Sequence, residues 1–313
     1  MNFKTHNLQL DFVKHRNKFF LFSGLFSLLG MILLFTIGFN LGIDFKSGSR
    51  VEILAPNTIT AEEIQEQFER MEGNLVPDDI TLAGESNEIA NARFTTVLDN
   101  ETIQMVQNHF ANEYGIEPSV STVSPLVGEE LAKNAFISVL IAAVGITIYV
   151  AFRFELLFGI AAIVGLLHDA LFVLMMFSLF QIEINIPFIA AILTVVGYSI
   201  NDTIVTFDRI RENVKFSKKI KGFQDLANIV NKSIVQTLAR SINTALTIAF
   251  AAVAIMIFGG EAVRSFAFAL VIGLIAGTYS SMFLCAQLWV VWKAKAIKNE
   301  NKKSKRKELE PTP

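Results

Sequence analysis

The stretch IPFIAAILTVVGYSINDTIVTF, residues 186–207, carries a single charge, Asp202, in an otherwise uncharged and mostly apolar run. A helix rises ~1.5 Å per residue, so roughly 20 apolar residues cross the hydrocarbon core of a bilayer. This length predicts a membrane-spanning helix and sets the fold class. Five further runs of the same kind lie at 19–41, 134–152, 156–180, 238–258 and 264–292. The last is long enough to tilt or to extend beyond the lipid. The first follows Lys14, Arg16 and Lys18. It is too long for the apolar region of a signal peptide, and no small-residue cleavage site follows it, so it reads as an uncleaved anchor. The expectation is an α-helical polytopic membrane protein with six transmembrane helices.

Composition agrees. Of 313 residues, 52% are hydrophobic and 18% charged, and 28 Phe stand against 7 Pro. This excludes a disordered chain, a collagen-like fibre and a basic nucleic-acid module, so no specific nucleic-acid partner is expected. Cys285 is the one cysteine, which excludes an intrachain disulfide and a cysteine metal cluster. His6, His15, His109 and His168 are scattered without HExxH spacing. No metal and no cofactor is expected.

Charge distribution predicts the orientation. The N-terminal segment 1–18 holds Lys4, Lys14, Arg16 and Lys18, the loop 208–237 holds seven basic residues, and the tail 293–313 holds eight. Segment 42–133 has five basic against seventeen acidic residues, a net −12. Basic segments remain inside, so both termini and 208–237 are expected in the cytoplasm and 42–133 outside it. Six spans return the chain to its starting side, as this requires. The tail reads as a polar, disordered topology anchor that touches anionic lipid or ribosomal RNA non-specifically.

Segment 42–133 reads as a small α+β domain between the first and second spans. Strands are expected at 51–54, 80–83, 89–98 and 119–123. A helix opens at Thr60, with Glu63 completing a capping box, and another covers 101–114. The order β-α-β-β-α-β is the ferredoxin-like split unit. His109 reads as a surface helix residue, and the domain holds no nucleophile–base pair. Its expected work is gripping, not chemistry.

Ionisable groups within the spans cost ~2.5–3.5 kcal/mol each on insertion scales, so each needs a partner or a wet cavity. Three stand out: Asp169 in the third span, Asp202 in the fourth and Arg240 at the start of the fifth. Thr194, Tyr198, Asn201, Asp202 and Val205 are expected near one helix face. Asn243, Thr244 and Thr247 continue the polar side that begins at Arg240. Asp202 and Arg240 lie at comparable depth, which predicts two helices that face each other or share a polar crevice. They are either a permanent ion pair or a proton-binding carboxylate biased by a cation. Asp169 follows His168, and the two are either buried hydrogen-bonding groups or a second relay. In the sixth span Ala269, Gly273, Gly277 and Ser281 recur every four residues, a face for close helix packing within the chain or between subunits.

These residues coincide with the motifs of a known family. VGYSINDTIVTFDRIREN, residues 196–213, closely resembles the fourth-span signature in the SecF branch of the SecD/SecF protein-export family. QTLARSINT (236–244) is similar to that family's fifth-span segment, and FAFALVIGLIAGTYSS (266–281) to its sixth. GIDFKSGS (42–49) is similar to the element that opens its external domain. The family usually has two glycines near the end of that element, and Ser47 stands in place of the first.

The resemblance implies a six-span fold of the resistance-nodulation-division kind in a bacterial plasma membrane, and a complex with the homologous SecD subunit. It also implies work beside the SecYEG channel, with YajC and YidC as companions. The implied task is late-stage translocation, in which the proton-motive force drives external domains to hold an unfolded preprotein and prevent backsliding. Asp202 corresponds to the family's intramembrane aspartate, Arg240 to its fifth-span arginine, and Asn201 is the aspartate's neighbour in the motif.

Three rivals follow from the residues. A lipid or drug exporter of the same superfamily normally has twelve spans and two large external domains in one chain. An intramembrane aspartyl protease would pair Asp169 with Asp202, but there is no GxGD motif and Asp169 lies deeper, so no enzyme is expected. A passive scaffold is the third.

Overall fold

The computed structural model describes residues 11–71, 75–84, 86–217, 220 and 222–309. Helix α1 covers Arg16–Thr36 and the short α2 covers Ile43–Lys46. An α+β domain follows: β1 Gly48–Leu54, α3 Ala61–Glu69, β2 Asp79–Ala83, β3 Ile89–Phe94, α4 Asn100–Tyr114 and β4 Ser119–Val123. The chain continues through α5 Pro125–Arg153, α6 Leu156–Phe180, α7 Ile186–Phe216, α8 Phe223–Phe258 and α9 Glu261–Tyr279. A π-helical turn, Ser280–Cys285, leads into α10 Ala286–Leu309. Among the described residues six helical stretches are long and apolar enough to cross a membrane, the last running through the π turn.

The sheet is antiparallel in the order β2-β3-β1-β4, the split βαββαβ arrangement expected from the sequence. Thr60 caps α3 by accepting the Glu63 N–H at 3.2 Å, and Asp99 caps α4 by accepting the Thr102 N–H at 2.8 Å. Ile64, Phe68, Val106 and Phe110 point from these helices onto Val51, Ile53, Ala90 and Ala92 of the sheet.

Within the helical bundle the last span, α9 through the π turn into α10, is the most enclosed, and α5 is the most exposed. Helix α9 packs on α6, α7 and α8. An aromatic stack of Phe158 on Trp289 (4.5 Å between centroids) with Phe207 against Phe158 joins α6, α7 and α10 at one end. Phe177 against Phe188, at 4.4 Å, closes α6 and α7 at the other.

Several elements depart from the sequence reading. The expected loop 208–237 is a helical hairpin in its described residues, because α7 runs on to Phe216 and α8 begins at Phe223. Leu226, Val230 and Ile234 bury one stripe of α8, the apolar face of an amphipathic helix within the segment whose basic residues suggested a loop. Asn213 Nδ2 stitches the hairpin by donating to Ser233 Oγ (2.8 Å) and Gln236 Oε1 (2.9 Å). Asp208 ties it to α5 through Arg153, at 2.8 Å. The expected disordered tail is helical as far as Leu309, since its Ala, Lys, Arg and Glu residues favour helix. Residues 310–313 and the first ten residues of the expected N-terminal segment lie outside the described residues. Helix α5 starts at Pro125, nine residues before the expected span, and forms a stalk that packs on α2.

The α+β domain is seated on the connection between α6 and α7. Gly42 N–H donates to Ile184 O (2.9 Å), and Ile184 N–H donates to Asn40 O (2.8 Å). Asp44 Oδ2 accepts the Ile186 N–H of the first residue of α7 at 2.9 Å, and Arg50 pairs with Glu183. The domain therefore grips the end of the helix that carries Asp202.

Ser47 has φ +66° and ψ 166° in this seat, a conformation that is essentially glycine-only and costs other residues about 1–3 kcal/mol. The glycine usual in the SecD/SecF pattern answers that requirement. Replacing Ser47 with glycine is expected to raise the thermal midpoint of the full-length chain. The net gain is about 1 kcal/mol once the added freedom of the unfolded chain is subtracted. A thermal melt of the detergent-solubilised chain checks it, and an unchanged or lower midpoint contradicts it.

Candidate functional site

Two buried carboxylates form the centre of the bundle. Asp202 on α7 is 7% exposed and Asp169 on α6 is fully buried. Ser241 of α8 donates to Asp202 Oδ1 and Ser281 of the π turn donates to Oδ2, each at 2.5 Å. Asp169 Oδ2 accepts from Ser199 of α7 at 2.5 Å and from Ser280 at 2.8 Å. Its Oδ1 lies 3.1 Å from His168 Nδ1. The His168 ring stacks on Tyr279 at 5.9 Å, and the Tyr279 hydroxyl reaches Ser23 Oγ and Phe19 O of α1, each at 3.1 Å. His168 also lines an open crevice between α1 and α6, with Ser23 and Ser27.

Hydroxyls, not a guanidinium, thus hold the fourth-span carboxylate. The expected facing pair of Asp202 and Arg240 is absent among the described residues: Arg240 is exposed and has no ion pair within 4.0 Å there. It stays within electrostatic reach of Asp202. Successive residues of a helix are rotated by about 100°, so turning Ser241 toward Asp202 turns Arg240 away. The same rotation separates Asn201 from Asp202. Asn201 and Thr194 lie on an exposed face of α7, while Asp202 shares the buried face with Val195, Ser199, Thr203 and Thr206. The single polar face expected in this span is therefore two faces.

The small-residue face of the last span packs within the chain up to Gly277. Ala269 is fully buried, a Cβ at Gly273 would overlap the Val195 side chain, and one at Gly277 would stand 3.0 Å from Ser199 Cβ. Ser281 continues the same face one turn further along α7, where it meets Asp202 and its hydroxyl donates to the carboxylate. Sequence reasoning passed over Ser199, Ser241 and Ser280. In an apolar span a serine reads as a small packing residue. The usable signal was that two isolated carboxylates each demand hydrogen-bond donors from neighbouring helices.

The chain is thus a six-span membrane protein whose centre holds two hydroxyl-bound carboxylates, with a ferredoxin-like domain clamped to the helix that carries one of them. The comparisons with known proteins give the family. The family model described as "Protein export membrane protein SecD/SecF, C-terminal" matches residues 103–295, and the SecD/SecF GG motif matches residues 32–55. The chain belongs to the SecD/SecF protein-export membrane protein family. It is 39% identical to the protein translocase subunit SecF of Alicyclobacillus acidocaldarius, covering 95% of this chain and 97% of that one. It is 48% identical to the protein translocase subunit SecDF of Bacillus subtilis over 93% of this chain, and spans 39% of that longer protein. The crystal structure of SecDF from Thermus thermophilus, a translocon-associated membrane protein, superposes with a TM-score of 0.81 at 35% identity. It covers 92% of this chain and 39% of the SecDF chain.

Proposed function

We propose that this chain is the SecF-type subunit of a bacterial Sec translocase, in which proton uptake at Asp202 drives the α+β domain to advance an exported polypeptide and prevent its return. The observation that carries the reading is the enclosure of Asp202 on the helix whose first residue is held by Asp44 of the domain's seat. A carboxylate gripped by neutral hydroxyls can exchange a proton without breaking an ion pair. Helix α7 offers a rigid connection from it to the domain.

A SecD-type partner fits a second feature. Arg240, Asn243, Thr244 and Thr247 form an exposed polar stripe on α8, and Thr194 and Asn201 do the same on α7. Polar groups at membrane depth are costly against lipid, so these stripes suit a protein surface or a wet cavity between two subunits. In this reading Arg240 presents its charge to that shared space, the termini are cytoplasmic, and the acidic domain lies outside. The SecYEG channel would supply the emerging polypeptide.

The test is a stalled-export assay in inner-membrane vesicles that contain the chain and its SecD-type partner. A polypeptide arrested midway is expected to advance when a proton gradient is imposed and to slide back when the gradient is collapsed. Vesicles lacking the chain should show neither response. Equal advance with and without the chain would refute the reading.

A further inference from the structure

Ser280 and Ser281 are consecutive, yet they serve different carboxylates on different helices. In a regular α-helix neighbours also diverge by about 100°, but here they open a π-helical turn, a feature often found at functional sites. Each serine also has a second acceptor within its own helix. Ser280 Oγ lies 3.3 Å from Gly277 O and Ser281 Oγ lies 3.2 Å from Thr278 O.

A serine hydroxyl carries one hydrogen, and an ionised carboxylate only accepts. While Asp169 and Asp202 are ionised, both serine hydrogens point at the carboxylates. Once a carboxylate takes a proton, its own O–H can donate to the serine oxygen. The serine hydrogen is then free to turn to the helix carbonyl. The proton count is unchanged by the rearrangement apart from the one taken up. Two hydrogen-bonding states result, one engaging the helices that hold the carboxylates and one engaging the last turn of α9.

We propose that Ser280 and Ser281 are positioning residues that read the protonation of Asp169 and Asp202 and convert it into the hydrogen-bond register of the π turn. The inference rests on the proposed function, in that Asp202 must take up protons, and extends that uptake to Asp169. Close packing makes the turn sensitive to this change: Cys285, at its end, sits against Gly165, where a Cβ would overlap the sulfur. The titratable and charged groups facing the pair are His168 and Tyr279 beside Asp169, Cys285 from the turn itself, and Tyr198 and Arg240 near Asp202. Asp169 also lies within electrostatic reach of Asp202.

The test uses the full-length chain with its SecD-type partner in lipid discs, at acidic and alkaline pH. Infrared spectroscopy with labelled aspartate follows carboxyl protonation. Hydrogen–deuterium exchange, corrected for intrinsic rates, follows the peptide that spans the turn. Protection of residues 281–288 is expected to change by roughly two- to tenfold as the carboxyls titrate, the worth of one hydrogen bond. The change should vanish in Ser280→Ala/Ser281→Ala and survive in Ser280→Thr/Ser281→Thr, which keeps both hydroxyls. Each single alanine variant should lose about half of it, so the inference stays testable if the double variant fails to fold. Carboxyls that titrate while the turn is silent, or a response that is unchanged in the alanine variants, would overturn this inference alone. Carboxyls that never titrate would overturn the proposed function with it.

Discussion

Replacing Asp202 by asparagine is expected to abolish the gradient-dependent part of polypeptide export while the chain stays folded and bound to its partner. Asparagine has nearly the same shape, and its carbonyl oxygen still accepts from one of the two serines. The other serine meets an NH2 group and must turn away, and for Ser281 the Thr278 carbonyl at 3.2 Å is the available acceptor. The stability change is then about one hydrogen bond, ~0.5–1.5 kcal/mol. The functional change is far larger, because the amide cannot take up a proton in the working pH range. A charge crossing the whole membrane potential releases ~2.3 kcal/mol per 100 mV, and that supply is lost to the conformational cycle. The measurement is advance of an arrested polypeptide with and without an imposed gradient, alongside co-purification with the partner. Full gradient response in the variant would sink the proton-binding role of Asp202. Loss of response together with loss of co-purification would point to a passive scaffold instead.

Gly273→Val is expected to cause the largest loss of stability. A Cβ at this position would overlap the branched side chain of Val195, and both atoms sit between the two most intimately packed helices of the bundle, α7 and α9. Overpacking of this kind costs typically about 1–3 kcal/mol and at times more. Two branched side chains that face each other have little room to rotate, so the upper end is expected. The same separation would carry Ser281 away from Asp202, so export should fail as well. Gly145→Val on α5 is the matched control, because no atom lies within 4 Å of a Cβ built there. Thermal melts and size-exclusion profiles of the two variants decide the matter. Equal stability of both would show that α7 and α9 do not approach as described.

Much of the architecture is legible in the chain itself. The six spans follow from runs whose length matches the bilayer, and the βαββαβ order follows from alternation, capping and helical spacing. The two carboxylates stand out because an ionisable group in an apolar run has no cheap explanation. The hairpin at 208–237 is harder to see, because its seven basic residues suggest a loop while the apolar repeat Leu226, Val230 and Ile234 that makes it helical is short. Ser47 is a different case: the sequence shows a departure from a glycine pattern, but the strained backbone angle belongs to the folded seat.

The partners of Asp202 were not legible, for a physical reason. Spacing along a helix gives relative directions on that helix but not how far it is rotated against its neighbours. A rotation of one residue exchanges Arg240 for Ser241 beside the same carboxylate. Ser281 lies on the small-residue face of the last span, and only its position opposite Asp202 makes it a donor as well as a packing residue. By itself the sequence determined that titratable groups lie inside a six-helix membrane bundle beneath a split α+β domain. Only the tertiary structure decided what holds them, because that depends on the mutual rotation and close approach of α6, α7, α8 and α9, set by side-chain packing summed over the whole bundle.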